Sequence, residues 1–325
     1  MRKVFPYQRK EYIMSNPITN STLRSDAKQL VKQNLGRIIL MNLAKSAASS
    51  LLAIILLALF AGRLPSIITS IDQLSRSRYL DAADVVGVVL PMLGMLILPI
   101  VGSAVLSSVL NLGYLNGLIQ MSRDATVKAS VVLSRVRHVL ASLGLPLWTG
   151  LKTSLWSLPG YLVTLFGSLI LSSATMSSAY RYSSGFSAAK LFVVVGVVVI
   201  AAGMILSIAL TLAASYRYAM ATYILADDPI VGVYDAVEKS KAMMLGRKFQ
   251  LFRLGFFYVL LGLLVMIGGA LLILLGGLLS EVIGIFSSLI LLAALALMTV
   301  ALVLLSLQQQ MAFACFYESH RILRR

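Results

Sequence analysis

The chain has 325 residues, of which 59% are hydrophobic and only 12% charged, and its mean hydropathy is +0.90. A soluble domain carries roughly 25% charged residues, so this composition excludes a water-facing surface over most of the chain. The net charge of +16 raises nucleic acid as a partner, yet the Lys and Arg residues sit at the ends of apolar runs instead of forming one dense patch with interleaved aromatics. Membrane orientation and anionic headgroups account for that placement, and no nucleic acid is expected.

Spanning the hydrocarbon takes about 20 apolar residues per helix, and several such runs are present. The expected fold is all-α, a polytopic transmembrane helical bundle of about six spans, with interfacial amphipathic helices on the cytoplasmic side. It forms one integral membrane domain over 1–325. Cys315 is the only cysteine, which excludes an internal disulfide and a cysteine-based metal site and leaves a small packing residue. The start, MRKVFPYQRKEYIM, is basic with no apolar core, so no cleaved signal peptide is expected.

Residues 1–19 read as a cytoplasmic tail, and Asn20 or Ser21 supplies the N-cap of a helix beginning near Thr22. Leu23, Ala27, Leu30, Val31, Leu35 and Ile38 recur at helical spacing, while Arg24, Lys28 and Lys32 form a basic row at four-residue intervals. Such a helix, within 1–37, is expected in the interface with its apolar face down and its cations toward anionic lipid. Spans one to four occupy about 38–213: runs at 38–60, 85–110, 143–171 and 191–214. Lys45 falls inside the first and is expected to snorkel. Pro91 and Pro99 interrupt the second and predict a bend, structural in preference to pathway-lining. An outer loop follows the first run, around Pro65. Residues 111–142 read as a cytoplasmic segment with a short amphipathic helix, in which His138 is a lone solvated or packed histidine. Trp148, Lys152, Trp156 and Pro159-Gly160 mark the third run, with Trp148 at the aromatic belt. Residues 172–190 read as an outer loop.

A connector at 214–254 is the one long segment where charge, turn residues and helix signals gather between apolar runs. Tyr216, Arg217, Tyr218 and Tyr223 are expected at headgroup depth. Asp227-Asp228-Pro229 predicts a helix start, with Asp228 as cap and Pro229 in the first turn. Asp235 to Lys239 and Glu238 to Lys241 are favourable helical pairs, and Gly246 stops the helix ahead of Arg247 and Lys248. Capping outweighs Mg²⁺ binding for these acids, because no second acidic cluster or phosphate loop accompanies them; no metal and no cofactor is expected. Spans five and six, within 255–307, are joined by a turn around Ser280-Glu281. Gly255, Gly262, Gly269 and Gly276 recur every seventh residue, which places them on one face as a close-packing groove. A basic tail, 308–325, ends the chain. The inner segments carry most of the Lys and Arg, so both termini are expected in the cytoplasm of a bacterial cell, with the chain multi-pass in the plasma membrane.

The connector resembles the signature of the bacterial membrane-protein family called domain of unknown function 975. The matching residues are Tyr218-x-Met220-Ala221, Tyr223 to Pro229, Ala236, Ser240, Met244-x-Gly246-x-Lys248 and Leu251-Phe252. Leu23-x-x-x-Ala27-x-x-Leu30, Leu112-Gly113-Tyr114 and Phe316-Tyr317-Glu318 are similar to other elements of that family. The resemblance implies an integral membrane protein and supplies no activity. It marks Tyr218, Tyr223, Asp227, Asp228, Pro229, Ser240, Gly246 and Lys248 as motif positions.

The chain has no His-Glu-x-x-His and no paired intramembrane acids, so an enzyme is not expected. No Asp or Glu lies well inside a run, which argues against ion-coupled transport. The function expected is a non-enzymatic membrane organiser that binds anionic lipid or a protein partner, with Arg24, Lys28, Lys32 and Arg247 as lipid-facing residues. A permease or transporter subunit, facilitated or driven by a separate ATPase, is the alternative.

Overall fold

The structure, a computed structural model, describes residues 19–76, 82–123, 125–179, 188–278 and 284–322. The expected N-terminal tail, the outer loop around residue 180, the Ser280-Glu281 turn and the last three residues of the basic tail lie outside these. Among the described residues every regular element is a helix, and six helices are long and apolar enough to cross a membrane. In chain order the helices are α1 (Asn20–Ala61), α2 (Leu64–Arg76), α3 (Ala82–Ser122), α4 (Val139–Ala179), α5 (Ala188–Tyr218), α6 (Ala221–Asp227), α7 (Val233–Met243), α8 (Lys248–Leu278) and α9 (Ile285–Ile322). Two short 3-10 helices, Ala129–Leu133 and Val136–His138, lie between α3 and α4. The protein is a multi-pass membrane protein. Most of each apolar window is uncovered by protein, which is the state expected of surface that faces acyl chains.

The chain forms two compact units. The first takes the described residues within Met1–Leu143, Leu225–Ile230 and Arg253–Arg325. The second takes Gly144–Ile224 and Val231–Phe252.

In the first unit, α3 and α9 outrun a single span. The 41 residues of α3 extend for about 60 Å at about 1.5 Å per residue, twice the hydrocarbon thickness of about 30 Å. The surplus is where the core sits. Leu23, Ala27, Leu30, Val31, Ile38 and Met41 of α1 are buried, as are Val109 to Met121 of α3 at most positions. Leu307, Met311, Ala312 and Phe316 of α9 are buried as well. Three expectations change here. The apolar stripe of the first helix is covered by protein, Leu35 excepted, and does not lie open to lipid. Residues 111–122 are not an interhelical segment but the last turns of α3, and the amphipathic helix expected after them is two 3-10 turns. The loop around Pro65 is α2, with Pro65 in its first turn, where no N–H is required.

The N-cap of α1 is Thr19, one residue before the predicted position: its Oγ1 accepts from the Thr22 N–H at 3.4 Å. The helix kinks at Asn34, whose φ of −118° and ψ of 20° leave the helical region and whose Nδ2 donates to the Leu30 carbonyl. The kink falls within the buried stripe, between Val31 and Ile38. Lys45 does not run to a surface alone: its Nζ donates to Asn111 Oδ1 at 3.2 Å and sits 4.6 Å from the Tyr114 ring centroid. On α8, a Cβ added to Gly269 would meet Met298 Sδ at 2.5 Å, and one added to Gly276 would meet Leu291 Cδ2 at 3.0 Å. Gly262, Gly269 and Gly276 of the seven-residue row therefore face α9 as a packing groove.

In the second unit, the connector departs from its predicted form. Its helix begins at Val233, with Gly232 as N-cap and no side-chain cap. Asp228 makes a turn instead, its Oδ1 accepting from the Ile230 N–H at 3.1 Å, and that description belongs to the first unit. Pro229 lies in the same turn. Tyr218 and Tyr223 are buried against protein. Gly246 takes a φ of +72°, the left-handed conformation that favours glycine, in the turn beyond the connector helix, which ends at Met243 with Met244 as its C-cap, two residues before the glycine predicted to stop it. Lys248 opens α8 directly after it. Glu238 is paired with Lys241, whose hydrogen bond holds the carboxyl below its ordinary pKa.

Candidate functional site

The densest polar constellation in the first unit is built on Asp227. Its position follows from a glycine. Gly113 of α3 has no side chain, and a Cβ there would lie 2.0 Å from the Val132 carbonyl oxygen. Gly117, a turn later, would bring a Cβ within 2.8 Å of Val131 Cγ1. The bare face of α3 thus lets the first 3-10 helix lie directly on it. Asn116 Nδ2 then donates to Ser134 Oγ at 3.4 Å, which fixes the next residue, Arg135.

Arg135 Nη2 donates to the carbonyls of Ala226 and Asp227 at 2.8 and 3.0 Å. These are the last carbonyls of α6, where a cation complements the helix dipole. The Asp227 carboxylate accepts from both ends of the Arg123 fork, at 2.9 Å from Nη1 and 3.0 Å from Nη2. Arg321 Nη1 donates to its Oδ2 at 2.8 Å, and the Tyr317 hydroxyl donates to the same atom at 3.0 Å. Arg123 also bonds Glu318 Oε2 through Nε at 2.9 Å and Nη2 at 2.7 Å. Burial works to lower the Arg123 pKa, but Glu318 and Asp227 outweigh it and hold the guanidinium above its ordinary value. Two arginines, Arg123 and Arg321, thus serve two carboxylates in a partly desolvated layer, while Arg135 serves the neighbouring backbone carbonyls. The two-pronged Arg123–Asp227 geometry is of the strong, directional kind.

Each carboxylate is committed to guanidinium donors, and among the described residues no three His, Cys, Asp or Glu side chains gather to hold a metal. His320, buried beside Tyr317, places Nδ1 2.8 Å from the Phe316 carbonyl and packs on the Phe316 ring.

The motif positions divide between the units. Asp227 and the Asp228-Pro229 turn belong to the first. Tyr218, Tyr223, Ser240, Gly246 and Lys248 belong to the second, where Ser240 is fully buried and its hydroxyl donates to the Arg217 carbonyl at 3.1 Å, tying α7 to α5. Of the basic positions, Lys28 and Lys32 are exposed, and Arg24 is occupied by its own helix and by Phe257, whose ring centroid lies 4.0 Å away. Arg247 is half-buried in the second unit. Asp227 was expected near a helix start and proves to end α6; its partners come from 104, 90 and 94 residues away. One signal pointed to them. With 12 acids among 28 cations, a carboxylate close to an apolar run is expected to find an arginine, and Glu318 of the Phe316-Tyr317-Glu318 element is one such.

The three separated family-like elements, at Leu112-Gly113-Tyr114, Tyr223 to Pro229 and Phe316-Tyr317-Glu318, each supply part of this cluster or its scaffold. No curated protein and no solved structure gives a significant match to the chain. The model of the family described as "protein of unknown function (DUF975)" matches residues 19–323, and with that span covered the chain belongs to this family.

Proposed function

We propose that this protein is a non-enzymatic organiser of the bacterial plasma membrane, with both termini cytoplasmic, that gathers anionic lipid or a membrane partner at its basic inner face. One observation carries the proposal: Lys28 and Lys32 are exposed on α1 while the neighbouring Ala27 and Val31 are buried. The helix therefore presents its cations outward on a rigid, packed base. The positive-inside distribution of Lys and Arg supports the orientation, and the Asp227 cluster acts as the clasp that keeps the inner layer folded. Each lysine near an anionic surface contributes about 1 kcal/mol.

The test uses full-length protein in zwitterionic nanodiscs, with binding to anionic vesicles as the readout. Replacing both lysines, Lys28→Glu and Lys32→Glu, is expected to weaken binding by about thirtyfold or more. Raised salt is expected to remove the difference. Binding that is unchanged by the substitutions refutes the proposal. The second reading, a permease subunit, draws support from the prolines inside spans, Pro91, Pro99, Pro146 and Pro159. Co-purification of a stoichiometric ATPase from native membranes would favour it.

A further inference from the structure

The second unit contains a polar groove that no sequence pattern announces. Glycines close one end of it. A Cβ on Gly160 of α4 would come within 2.4 Å of the Ser207 nitrogen on α5, and one on Gly203 within 2.5 Å of the Thr164 nitrogen. From there the two helices part toward the ends that carry Pro146 and Ala219. They leave a cavity of about 490 Å³ between them, within the range of about 300–1,000 Å³ typical of ligand sites.

The two walls offer opposite halves of a hydrogen bond. On α4, Thr149 donates to the Leu145 carbonyl, Thr153 to that of Thr149 and Ser157 to that of Ser154. These protons are spent on the backbone, so the three oxygens of the wall face the groove as acceptors. On α5, Tyr218 is only 6% exposed, yet its hydroxyl has no partner among the described residues. That hydroxyl belongs to the small part of the residue left accessible, and Tyr218 lines the groove. Thr211 and Ser215, on the same wall, keep their protons uncommitted as well. A donor so buried and left unbonded costs free energy unless an occupant of the groove accepts from it.

A hydroxyl meets both walls, because it donates and accepts through one atom. Thr149, Thr153 and Ser157 follow at four-residue intervals, about 6 Å apart along the helix axis. A ligand that engages more than one of them together with Tyr218 therefore carries several hydroxyls. No Lys, Arg, Asp or Glu lines the groove, so nothing there compensates a charged ligand. We infer that this groove binds an uncharged polyol, either as a free molecule or as the sugar headgroup of an uncharged glycolipid. Tyr218 donates to it, and the Thr and Ser oxygens of α4 accept from it. The inference goes beyond the basic-face reading and does not depend on it, because no cation takes part.

Saturation-transfer NMR of the full chain in zwitterionic nanodiscs tests the site, with myo-inositol as the probe and discs without protein subtracted. Wild type is expected to show saturable inositol binding. Cyclohexanol, the same ring with one hydroxyl, and inositol phosphate, the charged analogue, are each expected to bind more weakly by about fivefold or more, the net value of one hydrogen bond. Tyr218→Phe removes one donor and is expected to weaken inositol binding by about fivefold. Its thermal midpoint is expected to stay at the wild-type value, since the hydroxyl bonds no described residue. Gly150→Leu is the second variant: Gly150 lines the groove and a Cβ there meets nothing within 4 Å, so the larger side chain takes ligand space without a clash. It is expected to abolish inositol binding and leave the vesicle binding through Lys28 and Lys32 intact. No saturable binding by wild type, wild-type affinity in either variant, or tighter binding of inositol phosphate overturns the site. A monoglucosyl diacylglycerol added to the discs separates the two sources. Competition with inositol identifies a glycolipid headgroup as the occupant, and inositol binding unaffected by it identifies a free polyol.

Discussion

Removing the Asp227 carboxylate tests whether the Arg123, Tyr317 and Arg321 cluster holds the first unit together. The Asp227 side chain is 13% exposed and that of Arg123 32%, so the pair lies between the surface and the interior. Breaking a buried pair by deleting one partner costs about 3–5 kcal/mol, because the other charge is left uncompensated. Here solvent reaches the guanidinium, which places the expectation for Asp227→Leu at the low end, about 3 kcal/mol, or roughly a 150-fold change in the folding equilibrium. Asp227→Asn is expected to lose nearly as much, since its amide N–H₂ would face guanidinium donors. Equilibrium unfolding in mixed micelles, followed by circular dichroism, reads the loss. The decisive measurement is the double-mutant cycle with Arg123→Leu. The paired variant is expected to be more stable than the sum of the single losses allows by at least about 1.5 kcal/mol. A single-variant loss under about 0.5 kcal/mol, or additive losses, would show that the cluster is incidental surface chemistry.

Two further expectations concern packing and tethering. Gly113→Ala and Gly160→Ala force a Cβ against backbone atoms at 2.0 and 2.4 Å, whereas Gly269→Ala meets the thioether of Met298, which can move aside. The first two are expected to cost about 1–3 kcal/mol each and the third much less, and equal thermal shifts among the three would contradict the packing described. Ser240→Ala removes a buried hydrogen bond to the Arg217 carbonyl. It is expected to cost about 1 kcal/mol and to raise hydrogen exchange selectively in α7; unchanged exchange there would show that the bond is not what tethers the helix.

Much of this protein is determined by its sequence alone. The charge deficit and long apolar runs require a bilayer, and a bilayer requires helices, because no water is present to satisfy an open backbone. The glycine row of α8 is equally legible: a seven-residue repeat nearly matches two helical turns and places the residues on one face. Gly246 turns the chain after the connector helix for a reason internal to one residue, its access to positive φ. Sequence patterns of this kind report local periodicity and nearest neighbours.

Tertiary structure decided what periodicity does not encode. Asp227 and Asp228 next to Pro229 satisfy every local rule for a helix start, yet one is claimed by arginines from distant segments and the other turns the chain. The stripe of Leu23, Ala27, Leu30 and Val31 looks the same in sequence whether lipid or protein covers it, since both are apolar. The hydroxyls of Thr149, Thr153 and Ser157 became a groove only because glycines on α4 and α5 bring those helices together. Local spacing dictates which face a residue occupies; which face it meets depends on contacts closed across the whole chain, and these are set by shape and charge in three dimensions.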